Sequence, residues 1–249
     1  LKDLNRSKDK IIFALDVSDF REAEKLVKLL INHVGIFKVG SQLFAGSGPQ
    51  VIEMIRDRGG RVFLDLKFHD IPNTVGKVSE EAVRFKVSMF SIHSLGGFEM
   101  MKQAVIKTKE SSKNLGIPKP AILAVTVLTS LDQNSLKEIG IEHPLEEISI
   151  QLANLSRKAG VDGIITSPEE IGVIRKNCGK DFLIVTPGIR PSSIVGDDQK
   201  RFASPRQALS AGADFIVVGR PIREAKDPLE AAKRMIEEVM RGEDLPNDQ

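Results

Sequence analysis

Asp65 and Lys67 stand two positions apart inside the otherwise apolar run Val62-Phe63-Leu64-Asp65-Leu66-Lys67-Phe68, where an isolated charge is expensive to bury. If the run is a strand, its period of two sends Val62, Leu64, Leu66 and Phe68 to one face and Asp65 with Lys67 to the other. The carboxylate and the ammonium then point together off one face, an acid and a base paired where they could act on a bound small molecule. Two further charges have the same character. Asp16 ends the run Ile11–Val17 on the face shared with Ile12 and Ala14, and Lys38 lies between Phe37 and Val39. Burying any one of these charges alone costs several kcal/mol, so opposite charges must meet. Such a cluster could be a structural ion-pair plug. The continuation into the polar loop His69-Asp70-Ile71-Pro72-Asn73-Thr74 favours chemistry instead.

A second set of residues has the chemistry of an anion site. Thr186-Pro187-Gly188-Ile189-Arg190-Pro191 runs into a polar stretch through Gly196-Asp197-Asp198-Gln199, long enough to fold over a ligand, with Arg190 and Gln199 as donors. Further on, Gly219-Arg220 combines a residue that lets the backbone approach closely with a guanidinium fork that matches phosphate oxygens. Taken alone, that pair has a lesser reading as a glycine turn with a solvated arginine. The two loops together describe a phosphate site.

Positioning these groups requires a frame, and the apolar pattern supplies one. Short runs rich in β-branched residues recur at Ile11–Val17, Ile36–Val39, Val62–Phe68, Met89–His93, Ala121–Leu128, Gly163–Thr166, Phe182–Val185 and Phe215–Val218. Helical periodicity follows each, near residues 19–34, 48–58, 74–86, 97–113, 145–159, 168–177, 205–211 and 228–241. Ser167-Pro168, Ser204-Pro205 and Asp227-Pro228 each offer an N-cap oxygen and proline at N1; Gln207 and Glu230 are spaced for capping boxes. Gly59, Gly160, Gly212 and Gly242 sit where helices should stop in a left-handed residue. Strict alternation implies a parallel sheet, and eight units without GxGxxG after the first strand favour closure. The expected fold is an α/β (β/α)8 TIM barrel forming one domain over residues 1–249, with residues 1–8 and 243–249 loose. In such a barrel the site lies at the C-terminal ends of the strands, and phosphate often binds after strands seven and eight.

The bulk properties narrow the classes of function. Lysine plus arginine total 36 against 34 for aspartate plus glutamate, without the basic excess a nucleic-acid backbone demands. Tryptophan and tyrosine are absent, which removes common base-stacking platforms. The single cysteine, Cys178, can close no internal bridge and has no thiol partner for zinc or redox work, as suits a reducing compartment. No apolar run approaches the roughly 18 residues of a membrane span, and the first ten residues lack the apolar core of a leader. A cytoplasmic enzyme acting on a small molecule, with no nucleic-acid or membrane partner, is expected. His69 and His93 share no evident cluster and read as structural, Cys178 has no activating base, and Met100-Met101 reads as core.

The run Phe63-Leu64-Asp65-Leu66-Lys67-Phe68-His69-Asp70-Ile71-Pro72-Asn73-Thr74 closely resembles the signature of the orotidine 5′-phosphate decarboxylase family, the last enzymes of UMP synthesis. Ala14-Leu15-Asp16, the segment Leu123–Ser130, Val185–Pro191 and Val218-Gly219-Arg220-Pro221 extend the likeness over nearly the whole chain, while His93–Gly97 is a looser match. The resemblance implies decarboxylation of orotidine 5′-monophosphate in pyrimidine biosynthesis, without metal or organic cofactor. It makes Lys67 the catalytic lysine and faces Asp65 to the substrate carboxylate. Asp16 and Lys38 then bind ribose hydroxyls and complete the charge network, and Thr129 contacts the pyrimidine. Arg190, Gln199, Gly219 and Arg220 hold phosphate. It further implies a homodimer in which Asp70, Ile71 and Thr74 reach into the neighbouring subunit's site. A related group, the magnesium-dependent sugar-phosphate decarboxylases and synthases, shares Asp-x-Lys-x-x-Asp but would want a carboxylate where Lys38 stands. A third possibility, a nucleotide-binding barrel without catalysis, is disfavoured by the intact Asp65, Lys67 and Asp70.

Overall fold

In the computed structural model, which describes residues 7–191 and 202–243, eight parallel strands close into a barrel in sequential order, β1 pairing with β8. The strands are β1 Ile11–Ala14, β2 Ile36–Gly40, β3 Arg61–Phe68, β4 Met89–His93, β5 Ala121–Val125, β6 Gly163–Ile165, β7 Leu183–Thr186 and β8 Phe215–Val218. The helices are α1 Phe20–Leu30, α2 Ser41–Ser47, α3 Gln50–Asp57, α4 Pro72–Arg84, α5 Gly97–Leu115, α6 Gln133–Glu138, α7 Leu145–Ala159, α8 Ile171–Cys178, α9 Pro205–Ser210, α10 Arg220–Arg223 and α11 Pro228–Glu243. Every expected strand is present. Three end early, at Ala14, Val125 and Ile165, and beyond them Asp16, Val127, Leu128 and Thr166 line the barrel mouth.

Alternation along the strands divides the apolar residues into two cores. Ile12, Ala14, Ile36, Phe63, Met89, Leu123, Val125, Ile165, Val185 and Val217 fill the barrel interior. Ile11, Phe13, Phe37, Val62, Leu64, Phe90 and Ile92 face outward onto the helices. Val62, Leu64, Leu66 and Phe68 fall on the helix side, as the period of two requires. Met100 and Met101 are fully buried in the same outer layer.

Local chemistry sets most helix boundaries. Ser204 Oγ accepts from Gln207 N at 3.2 Å while Gln207 Oε1 accepts from Ser204 N at 2.9 Å, closing the expected capping box. Asp227 caps α11 by accepting from Leu229 N and Glu230 N, but Glu230 pairs with Lys233 at 2.6 Å and closes no box. A box the sequence reading passed over forms instead at Ser167, whose N donates to Glu170 Oε2 at 3.1 Å. Gly59, Gly160 and Gly212 do take positive φ at helix ends. Gly242 does not end its helix: α11 continues through it to Glu243. Helix α4 starts at Pro72, so Asn73 and Thr74, expected in a loop, belong to its first turn. The expected helix over 19–34 stops at Leu30, and three short helices, α2, α6 and α10, lie outside the expected helical segments. Ser7 and Lys8, expected to be loose, lie in a helical turn over 7–9, with Ser7 fully buried.

At the N-terminal rim, opposite the charged cluster, acids clamp neighbouring strands. Asp162 accepts from Lys119 at 2.6 Å and from Ile122 N at 2.8 Å; Asp214 accepts from Arg175 at 2.6 Å and from Ile184 N at 2.8 Å. Among the described residues, no helix is long and apolar enough to cross a membrane.

Candidate active site

Strand register builds the charged cluster. Ala14 pairs with Lys38 and Gly40 with Asp65, which puts the ends of β1, β2 and β3 at one level of the barrel mouth. Asp16 lies two residues beyond β1 rather than at its end, yet its Oδ1 still accepts from Lys38 Nζ at 3.0 Å. Lys38 Nζ also lies 3.6 Å from Asp65 Oδ2, and Lys67 Nζ is 3.0 Å from both Asp65 oxygens. The charges therefore alternate along one chain: Asp16, Lys38, Asp65, Lys67. A Cβ on Gly40 would come within 3.3 Å of Lys38 Nζ and 3.4 Å of Asp16 Oδ1, so glycine here leaves room for the pair.

Lys67 reaches its position through an irregularity in β3. Leu64 pairs with Phe90 but Phe68 with Ile92, so four steps along β3 span two along β4. Within that bulge Lys67 takes φ 50°, a left-handed conformation that costs a non-glycine residue about 1–3 kcal/mol. Ser91, on the inward face of β4, holds it there: its Oγ accepts from Lys67 N at 2.8 Å and donates to Asp65 Oδ1 at 2.8 Å. Burial would push the Asp65 carboxyl up. The ammoniums of Lys38 and Lys67, with the hydrogen bonds from Lys67 and Ser91, outweigh burial and hold it below the ordinary carboxylate range. Asp65 is thus a carboxylate at neutral pH, although only 7% exposed.

These groups open onto a cavity of about 490 Å³ lined by Asp16, Lys38, Asp65, Lys67, Thr129, Arg190, Gly219 and Arg220. Asp65 and Lys67 thus face the barrel mouth and share its cavity with Arg190 and Arg220. Arg190 is nearly buried, and the segment carrying it is pinned where Arg190 N donates to Ala203 O and Ala203 N to Gly188 O. Gly219 caps α10, whose first residue is Arg220. Gln199 and the polar stretch before it lie outside the described residues. Asp70, Ile71 and Thr74 do not line the cavity; Asp70 and Ile71 are exposed, with Asp70 Oδ1 accepting from Ile71 N.

Sequence reasoning missed several residues that share this site. Ser91 was legible, because the inward phase of β4 is Met89, Ser91, His93 and a polar residue there faces Asp65. Gln42, Thr166 and Arg223 also line the cavity; Thr166 ends an expected strand, whereas Gln42 and Arg223 fall between the expected strands and helices. His69 and His93 are not separate, as expected, but stack with ring centroids 5.3 Å apart. Burial, then the neighbouring His69 and Lys67, lower the His93 pKa to about 4. Cys178 is buried and its thiol is pushed up by burial, in keeping with the reading that it is no nucleophile.

Residues 9–235 match the model of the Orotidine 5'-phosphate decarboxylase / HUMPS family. The chain belongs to that family. An orotidine 5'-phosphate decarboxylase from Geotalea daltonii is 50% identical over 238 residues, covering 96% of this chain and 99% of that protein. One from Syntrophotalea carbinolica is 51% identical over 237 residues, covering 95% and 97%. The crystal structure of orotidine 5'-phosphate decarboxylase from Lactobacillus acidophilus superposes with a TM-score of 0.82 at 37% identity, covering 92% of this chain and 98% of that one. Asp16, Lys38, Asp65, Lys67, Arg190 and Arg220 all fall within the matched residues 9–235.

Proposed function

We propose that this barrel converts orotidine 5′-monophosphate to UMP and CO2 in pyrimidine biosynthesis. The observation that carries the reading is the Lys67 ammonium, 3.0 Å from both oxygens of Asp65, in a cavity shared with Arg190 and Arg220. Breaking the bond between C6 and its carboxylate leaves an electron pair in the plane of the pyrimidine, where the ring cannot delocalise it. A preorganised cation beside C6 stabilises that pair, and Lys67 then delivers the proton that replaces CO2. Asp65 keeps Lys67 charged and directed, and faces the departing carboxylate. Asp16 and Lys38 bind the ribose hydroxyls, Thr129 contacts the pyrimidine, and Arg190, Gln199, Gly219 and Arg220 hold the phosphate. Binding energy at the phosphate, distant from C6, serves the reaction by seating the nucleotide and excluding water.

The reaction needs no metal or organic cofactor on this reading. The donor set agrees with it: a divalent cation placed at Asp65 would meet the ammoniums of Lys38 and Lys67. The working unit is a cytoplasmic homodimer, in which Asp70, Ile71 and Thr74 enter the neighbouring subunit's site. Ile71, four residues after Lys67, is 66% exposed, as suits a residue that packs against a partner. The test is to treat purified protein exhaustively with chelator, add orotidine 5′-monophosphate, and follow UMP. UMP formation at an undiminished rate is expected. Turnover that appears only with added magnesium would favour the metal-dependent sugar-phosphate group, and binding without turnover a barrel that has lost catalysis.

A further inference from the structure

We propose that Arg223 is a positioning residue, clamping the backbone of Asp16 so that the Asp16 carboxylate is aimed at Lys38 and at the substrate. The proposal rests on the reading of Asp16 as a substrate-binding residue.

Strands β1 and β8 close the barrel, with Phe13 paired to Val218, so the chain leaves both strands side by side at the mouth. The approach is close. A Cβ on Gly219 would lie 3.4 Å from Ala14 Cβ and 3.7 Å from Asp16 Oδ2. From this junction α10 turns over the mouth, anchored by the fully buried Ile222 and by Ile222 N and Arg223 N, which donate to Gly219 O at 3.0 Å each. Arg223 ends that turn. Its Nη1 donates to the carbonyl oxygen of Asp16, and its Nη2 to Glu224 Oε1 at 2.6 Å.

Asp16 requires such a clamp. Its carboxylate is 48% exposed, so packing does not dictate where it points. Lys38 meets it at 3.0 Å; Leu15 N, donating to Lys38 O at 3.0 Å, and the buried Leu15 and Val17 hold the chain on either side, and Arg223 holds the Asp16 carbonyl between them. The guanidinium fork supplies the fixation, reaching Asp16 and Glu224 at once, which a single ammonium does less well. Arg220, at the start of the same turn, belongs to the anion end of the cavity, so one anchored element holds both ends of the site.

Arg223 also lines the cavity, and a direct contact with the substrate's anion is the rival account. A double-mutant cycle with Asp16 separates the two. Arg223→Ala is expected to lower kcat/KM for orotidine 5′-monophosphate about tenfold to a hundredfold, the worth of a hydrogen bond from a charged group. In an Asp16→Ala background the same change should cost less than about threefold, because no carboxylate remains to be aimed. The affinity of UMP, measured calorimetrically through the same cycle, should repeat the pattern without requiring turnover. An equal loss in both backgrounds overturns the proposal and makes Arg223 a direct anion contact or a general stabiliser. Arg223→Lys, run through the cycle in parallel, gives the same discrimination if the alanine variant does not fold, with a smaller loss expected from its single donor group. A wild-type protein that makes no UMP would refute the functional reading before the cycle is begun. A wild-type protein that turns over, with an additive cycle, would refute the clamp alone.

Discussion

Lys67 concentrates the chemical argument in one side chain. It occupies a left-handed backbone position inside a bulge and is held there by Ser91 and Asp65. Conformational cost at a site overdetermined by its neighbours suits a group whose aim matters more than its stability. Lys67→Ala removes both the cation and the proton donor and leaves the barrel cores untouched. We expect the variant to fold and to bind UMP, and its kcat for orotidine 5′-monophosphate to fall by at least about a thousandfold in a single-turnover assay. Substantial residual turnover would show that another group delivers the proton. The pairing of Asp65 with Lys67 was legible because a period of two is a strict rule and two charges in an apolar strand break it together. The bulge was not. A register shift against β4 depends on which residues pair across strands, and the sequence of β3 alone carries no mark of it. Nor was the stacking of His69 on His93, which arises only when the end of β4 is brought beside the turn after β3.

At the scale of elements, the barrel separates stability from chemistry by putting them at opposite rims. Asp214 at the foot of β8 holds Arg175 and the backbone N–H of Ile184, and Asp162 does the same work at β6. Asp214→Ala should therefore destabilise the fold by about 1–3 kcal/mol, read from urea unfolding, with kcat unchanged. A matching loss of kcat would mean that the two rims are coupled. The upper rim carries a pH-dependent term through His93. Its pKa falls from 6.5 to about 4 because burial, His69 and Lys67 disfavour the charged ring. Between those values the unfolded chain binds the proton and the folded one does not. The contribution is therefore complete above pH 6.5 and declines as pH falls toward 4, by about 3 kcal/mol in all. His93→Gln should flatten the dependence of unfolding free energy on pH across that window, and an unchanged slope would place the titration elsewhere. Strand and helix order was readable throughout, because each βα unit carries its own apolar period and several carry their own caps. The additional short helices escaped because α2, α6 and α10, of seven, six and four residues, are too brief to establish a period. Gly242 misled because glycine costs a helix only about 1 kcal/mol, which packing of α11 can offset.

For the whole molecule the open question is which barrel each loop serves. Among the described residues, the side chains expected to bind the nucleotide within one subunit line one cavity, whereas Asp70 and Ile71 are exposed and do not line it. If the dimer is as proposed, Lys67 of one subunit and Asp70 of the other complete a single site. Two inactive proteins should then repair each other. In a heterodimer of Lys67→Ala with Asp70→Ala, one site carries both lesions, and the other joins an intact Lys67 to an intact Asp70. Random exchange makes half the dimers mixed, each with one sound site of two, so activity should return to about a quarter of the wild-type value per subunit. The measurement is to denature the two variants together, refold them, and compare turnover with each variant refolded alone. If Asp70 instead serves its own barrel, every site in the mixture contains a lesion. Activity would then stay at the level of the separate variants, and the shared-site arrangement would have to be abandoned even if the protein proved dimeric.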